Sequence, residues 1–217
     1  DEPHIYFRKL KSIHSSLLKM RDHLKAKGTN SVMDYITFSD TIIITFHWEG
    51  VENESMIPVF TRVIDGLFSE CLAADLLMRG AMSYGKFMKE DNIIIGPAID
   101  DAAQWYEQAQ LVGCLLTPST SLLYDYGLDI YNNISMDNYD YSQHALKYST
   151  PCKGDVNYNL YNVNWPLSSY KALKPLEHDP LLVIKRILGT NPIPANAYNK
   201  HENTIQFFNY SISQRNT

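Results

Sequence analysis

Three things are scarce in this chain. Cysteine is the first: Cys71, Cys114 and Cys152 are three in 217 residues, odd in number, widely spaced and in no metal-type pair. That argues against a disulfide framework, and a reducing cytoplasmic compartment is the simplest expectation. Positive charge is the second. Nineteen Lys and Arg against 24 Asp and Glu leave a net charge of −5, which gives no electrostatic reason to expect nucleic acid as a partner. An acidic protein that handles a phosphate-rich ligand would need metal cations to do so. Long apolar runs are the third. "NIIIGPAI" falls far short of the roughly 20 residues that span a bilayer, so no membrane segment is expected. The opening "DEPHIYFRKL" has no apolar leader pattern.

What is present describes an ordinary globular protein. A hydrophobic content of 45% with 20% charged residues suits one domain with a sizeable core, or one domain plus an elaboration. Leu10, Ile13, Leu17, Met20 and Leu24 recur at helical spacing, and Gly28 is a natural stop for that helix. "YITFSDTIIITF", Tyr35 to Phe46, then reads as two strands around Ser39-Asp40. Ser-Asp is a poor choice for a tight hairpin turn, where Asn-Gly or Gly-X supplies positive φ, so its presence asks for a reason. A second helix with Ile57, Phe60, Ile64, Leu67, Phe68, Cys71 and Leu72 on its buried side follows. "LMRGAMSYGKFM" and "NIIIG" read as strands, "AIDDAAQWYEQAQLV" as a helix, and "GCLLT" as a strand ended by Pro118.

Residues 5–117 therefore alternate between helix and strand, which indicates an α+β fold with helices on one face of a sheet. An opening helix with no strand before it is awkward, because its apolar stripe needs a sheet to cover. Residues 124–166 are rich in Tyr and Asn and poor in aliphatics, which suggests a surface elaboration of short helices and irregular loops, or a partner-binding face built of tyrosines. "DPLLVIKRIL" reads as a short buried helix and "NTIQFFNYSISQ" as a final helix or strand. The division expected is a core at 1–118 and an elaboration at 119–217.

Three blocks stand in a fixed order: "YITFSDTIIITF", "RGAMSYG" and "IIIGPAIDDAAQWYEQA". Together they resemble the class III nucleotidyl cyclase catalytic domain over about half the chain. That family has Gly-Asp at the hairpin tip where Ser39-Asp40 stand here, Arg-x-Gly through Gly where Arg79 to Gly85 stand, and a Gly before a helix with Ala-Ala and a later acid, as at Gly96, Ala102-Ala103 and Glu107. The Ser-Asp tip, "GPAI", and the downstream "VNWP" and "ENTIQFF" resemble the bacterial antiphage (Pycsar) pyrimidine cyclases more closely.

The resemblance implies a ferredoxin-like sheet and the conversion of UTP or CTP to the 3′,5′-cyclic monophosphate and pyrophosphate. Two divalent ions, Mn²⁺ or Mg²⁺, serve such chemistry, and Asp40 is the implied metal ligand. A second metal-binding Asp is carried in the family by a strand ahead of the first helix, in a pattern like Phe-x-Asp-x-x-Gly-Phe. No such strand surrounds Asp1-Glu2, so the intact protein is expected to have one upstream. Purine cyclases read their base at the positions of Ile36 and Ile93. Both are apolar here, which disfavours a purine and leaves a smaller base walled by Ile36, Ile93 and Tyr35.

The family's transition-state Asn and Arg correspond to Asp100 and Gln104. Gln donates only a neutral hydrogen bond, so another cation, Arg79 or Lys86, would have to neutralise phosphoryl charge. Asp100 is equally explained as a first-turn acid on the helix dipole, and Arg79 as a structural residue at a strand start. The resemblance further implies a homodimer with two shared sites and a product that acts on a separate effector. A catalytically silent cyclase-like domain that binds nucleotide or only dimerises is the alternative, and a purine cyclase with unorthodox base recognition is a third reading.

Overall fold

The computed structural model describes residues 3–26, 31–48, 53–91, 93–134, 139–173, 179–189 and 197–214. Helix α1 (Pro3–Ala26) turns the expected apolar stripe inward, with Ile13 and Leu17 fully buried. The expected stop at Gly28 lies outside the described residues. Strands β1 (Ser31–Phe38) and β2 (Thr41–Trp48) form an antiparallel hairpin in which Tyr35 faces Ile44 and Phe38 faces Thr41. Alternate residues of a strand point to opposite faces, so Met33, Tyr35, Ile42, Ile44 and Phe46 turn toward α1. They pack there with Ile13, Leu17 and, from α2 (Ile57–Ala73), Leu67 and Cys71. The stripe of α1 is thus covered by the hairpin and α2. Each fully buried Leu or Ile stabilises this satellite core by about 1.5–3 kcal/mol.

The larger sheet has four strands in the order β3-β6-β8-β7. Strands β3 (Arg79–Met82) and β6 (Gly113–Leu116) run parallel; between them lie a small antiparallel hairpin, β4 (Met88–Glu90) with β5 (Ile93–Ile95), and helix α3 (Pro97–Gln108). The rest of the sheet is antiparallel: β7 (Ala145–Cys152) and β8 (Val156–Val163) form a hairpin whose β8 lies against β6. The four-stranded sheet therefore takes two strands from either side of residue 118. The chain is a mixed α+β protein with seven helices among the described residues.

Two expectations are corrected here. Residues 124–166 are not a surface of short helices and irregular loops. They contain the end of α4 (Pro118–Ile134) and the two eight-residue strands β7 and β8, and Tyr124 and Tyr141 are core residues. A low aliphatic count misleads because Tyr and Thr favour strands as strongly as aliphatics do. The turn was also marked: Gly154 and Asp155 take φ of 82° and 55° between the strands.

The second correction concerns the layers. Helices cover both faces of the sheet rather than one. Cys114 and Leu116 of β6 join the main core with Phe68, Trp165 and Phe207, whereas Leu115 faces the other way with Ala81, Leu160 and Trp105 of α3. Phe68 is on α2, Trp165 on α5 (Trp165–Leu173) and Phe207 on α7 (Tyr198–Ser213); Ile184 and Leu188 of α6 (Pro180–Gly189) complete that core. All four residues of β6 are buried, as a central strand covered on both sides requires. No helix among the described residues is long and apolar enough to cross a membrane.

Candidate functional site

The hairpin tip is a two-residue turn. Ser39 takes φ of 54° while Asp40 does not take positive φ, the sign pattern of a type II′ turn with serine where glycine normally sits. A non-glycine residue in that region costs about 1–2 kcal/mol. Asp40 is exposed beside it and makes no hydrogen bond or ion pair among the described residues. The local sequence thus holds an unpaired carboxylate on a strained turn at the end of two strongly pairing strands.

The implied base-wall residues separate. Tyr35 lies on the helix side of the hairpin, where its hydroxyl is 3.2 Å from His14 Nε2 and the two rings meet edge to face. Desolvation raises its phenol pKa, with Arg21 opposing the shift and Asp22 adding to it. Ile36 faces the other way, opposite Ile43. Ile93 is on β5, 66% exposed, paired with Glu90 of β4. Tyr35 and Ile36 therefore do not wall one pocket.

A contact that the sequence did not advertise links the two hairpins. Lys89 of β4 places Nζ 2.8 Å from Asp34 Oδ2 of β1. Asp34 shares a hairpin face with Ile36, so β4–β5 is tethered on the Ile36 side. A carboxylate breaking an apolar strand was the signal available.

Helix α3 starts at Gly96, whose φ is 141°. A Cβ there would lie 2.7 Å from Phe87 Cα and 2.8 Å from the Lys86 carbonyl oxygen, so only glycine lets this chain crossing close. Pro97 follows at the first helical position, and the amides of Ile99 and Asp100 donate to the Gly96 carbonyl at 2.9 and 3.1 Å. Asp100 is the acid of the first turn, set on the positive end of the helix dipole. Gln104 is one turn on, and both side chains are exposed on one stripe. The Ser83 hydroxyl donates to the Ala98 carbonyl, and Ser119 Oγ donates to Asp101 Oδ2 at 3.2 Å, fixing the start of α3 to the ends of β3 and β6.

Arg79 is elsewhere. It shares the α3 side of β3 with Ala81, but at the start of the strand, where Nη1 donates to the Ala109 carbonyl at 3.4 Å and the guanidinium lies 5.4 Å from the Tyr106 ring centroid. Ala109 caps the C-terminal end of α3. Twelve helical residues span about 18 Å, so Arg79 serves the opposite end of α3 from Asp100. The structure brings Asp100 and Gln104 together and leaves Arg79 away from them.

Among the described residues no group of three or more His, Cys, Asp or Glu side chains is placed to hold a metal. Asp40 offers one carboxylate. Mg²⁺ is commonly held by one or two carboxylates with the substrate's own phosphates completing the shell, and an exposed, unpaired acid fits that kind of substrate-assisted site. Comparison of the chain with protein-family models, with curated proteins and with solved structures found no match.

Proposed function

We propose that this chain is a pyrimidine nucleotide cyclase of the class III type, converting UTP or CTP to the 3′,5′-cyclic monophosphate and pyrophosphate for antiphage signalling. The observation that carries this reading is the Asp40 carboxylate, exposed and unpaired on a turn whose serine holds a glycine-type φ of 54°. Backbone strain concentrates where function demands it. The resemblance of the surrounding blocks supplies the reaction class.

In that reaction the ribose 3′-hydroxyl attacks the α-phosphorus in line and pyrophosphate leaves. Mn²⁺ or Mg²⁺, when bound, neutralises charge on the phosphates. Asp40 would hold that ion through its carboxylate oxygens. Neither Ile36 nor Ile93 carries a purine-reading donor or acceptor, but Ile93 lies on the face of β4–β5 opposite Lys89, so the two would wall one base only if they came from different subunits. Gln104 would donate a neutral hydrogen bond toward the phosphoryl oxygens, with Asp100 a turn before it. With Arg79 engaged at the Ala109 carbonyl, Lys86 is the cation left for phosphoryl charge.

A two-fold homodimer would set the hairpin tip of one subunit against α3 of the other. The 79% exposure of Phe38 at the hairpin tip, and the exposed Met88, Ile93 and Ile95 on one face of β4–β5, offer apolar surface that a second subunit would cover. The ferredoxin-like sheet implied by the resemblance would join β1–β2 to β3, whereas here β1–β2 is a two-stranded sheet separate from the four-stranded sheet that holds β3. The cyclic product would act on a separate effector.

A second reading is a catalytically silent cyclase-like domain that binds nucleotide or only dimerises. The engagement of Arg79 at the far end of α3 favours it. Incubating the intact protein with each of four NTPs and Mn²⁺ separates the two: cyclic UMP or cyclic CMP is the expected product. No cyclic product from any NTP would leave the silent domain, and preferential turnover of ATP or GTP would establish a purine cyclase.

A further inference from the structure

A buried polar cluster outside that site joins α2 to the segment that leads into β7 and to α5. Asp65 of α2 is 1% exposed. Its Oδ2 lies 2.6 Å from His144 Nδ1 and accepts from the Ser168 hydroxyl of α5 at 2.5 Å, while Oδ1 is buried with no hydrogen-bond partner among the described residues. His144, at the end of a 3-10 turn (Tyr141–His144), is itself buried. Its Nε2 is 2.7 Å from the Tyr139 hydroxyl, and the two ring planes lie within 10° of each other.

With Asp65 a carboxylate and His144 a neutral imidazole, the contacts allow one set of proton positions. A carboxylate only accepts, so His144 Nδ1 carries a hydrogen and donates it to Asp65. In the neutral imidazole Nε2 is then the acceptor, and the Tyr139 hydroxyl donates to it. The two rings run parallel to within 10°, with centroids 5.6 Å apart. A buried carboxylate, an imidazole held in one tautomer and a hydroxyl on its far nitrogen form the arrangement that activates a nucleophile. Tyr139 is partly exposed while His144 and Asp65 are buried.

The charges nearby favour one class of electrophile. The Arg62 guanidinium lies 4.1 Å from the Tyr139 ring centroid, and its Nη1 donates to the Tyr141 hydroxyl at 3.4 Å. The adjacent Asp140 carboxylate is occupied by the Ser142 amide at 3.0 Å and by the Ser142 hydroxyl. A cation beside the phenol suits an electrophile with anionic oxygens.

We propose that Tyr139 is a modification site, a phenol activated by His144 to accept a phosphoryl group from a phosphorus(V) donor with a good leaving group. In that step the Tyr139 oxygen forms a bond to phosphorus and the bond to the leaving group breaks. The phenolic proton passes to His144 Nε2. Asp65 stays a carboxylate, holds the imidazole in place and offsets the imidazolium charge, and the Arg62 guanidinium over the phenol ring supplies positive charge nearby. Tyr139 is the nucleophile, His144 its base, and Asp65 and Ser168 are positioning residues.

The test is a fluorophosphonate ester, from which fluoride leaves, with adducts located by peptide mass spectrometry. Tyr126 and Tyr198, about half exposed at 52% and 53%, are reference phenols in the same chain. General-base assistance is worth about 10²–10⁴-fold, so Tyr139 is expected to label at least about ten times faster than either. Equal rates, or no adduct at Tyr139, would overturn the proposal, and this comparison needs no variant. His144→Gln, if folded by circular dichroism, is expected to bring the Tyr139 rate down to that of Tyr126. An unchanged Tyr139 rate in folded His144→Gln would overturn it as well.

Discussion

The ammonium of Lys89 stands 2.8 Å from the carboxylate of Asp34, joining the β4–β5 hairpin to the β1–β2 hairpin. Both side chains are partly exposed, at 26% and 42%. Such pairs contribute about 0.2–1 kcal/mol. Asp34→Asn is therefore expected to lower stability by no more than about 1 kcal/mol, and the effect should shrink in high salt. A double-mutant cycle with Lys89→Met, followed by urea unfolding, reads the coupling. A coupling of zero at low salt would mean the pair does not hold the hairpins together.

Asp40 is predicted to be needed for turnover and dispensable for folding. It is exposed and unpaired, so Asp40→Ala should change unfolding free energy by about 0.5 kcal/mol or less. Cyclic nucleotide formation should be lost in the same variant. A wild-type rate would remove Asp40 from the mechanism.

Arg79 makes the opposite prediction. Its guanidinium satisfies the Ala109 carbonyl at the end of α3, and a hydrogen bond to a charged group is worth about 1.5–3 kcal/mol when removed. Arg79→Gln should lower the thermal midpoint while turnover per folded molecule holds. A variant as stable as wild type, with turnover lost, would place Arg79 in the chemistry after all.

Gly96→Ala tests the tight crossing before α3. The new Cβ would meet Phe87 Cα at 2.7 Å on a backbone with φ of 141°. Backbone must shift, at a cost of about 1–3 kcal/mol, which for a chain of this length lowers the thermal midpoint by roughly 2–4 °C per kcal/mol. Full stability in Gly96→Ala would show that the β4–α3 crossing is looser than this contact implies.

Two thiols carry a pH prediction. Burial pushes Cys71 and Cys114 up to about 12 from a starting value of 9.0, Glu70 adding to the shift at Cys71. The native state keeps both protonated while the unfolded chain ionises them. Their contribution to stability is thus complete below pH 9 and is lost between pH 9 and about 12. Denaturant unfolding across that window should show stability falling with pH, less steeply in Cys114→Ala. At pH 8 both thiols should resist a disulfide reagent until the protein unfolds, because the thiolate is the reactive form. Fast labelling of native protein at either position would contradict their burial.

Much of the first half was readable because its patterns are local. Ile13 and Leu17 belong to a helical stripe, and β-branched runs on either side of Ser39-Asp40 can pair only as a hairpin. The start of α3 carried its own marks, a glycine and then a proline. What misled was composition. "ALKYSTPC" and "VNYNLYNV" contain few aliphatics, yet Leu160 and Val163 reach the core while Asn162, fully buried, donates to Thr150 Oγ1 at 2.7 Å. A strand whose polar groups bond one another inside looks like a surface loop when only residue types are weighed.

Asp65, His144 and Ser168 show the larger limit. They are separated by 79 and 103 positions in the chain, and no spacing rule connects them. Sequence alone determined which segments are helices and strands near the hairpin, and that a carboxylate tips it, because propensity and periodicity act between neighbours. Tertiary structure decided that Arg79 turns to the end of α3, that helices cover both sheet faces, and that a histidine from the Tyr-rich half lies on a buried aspartate of α2. Those outcomes follow from which surfaces must leave water together, a property of the folded whole.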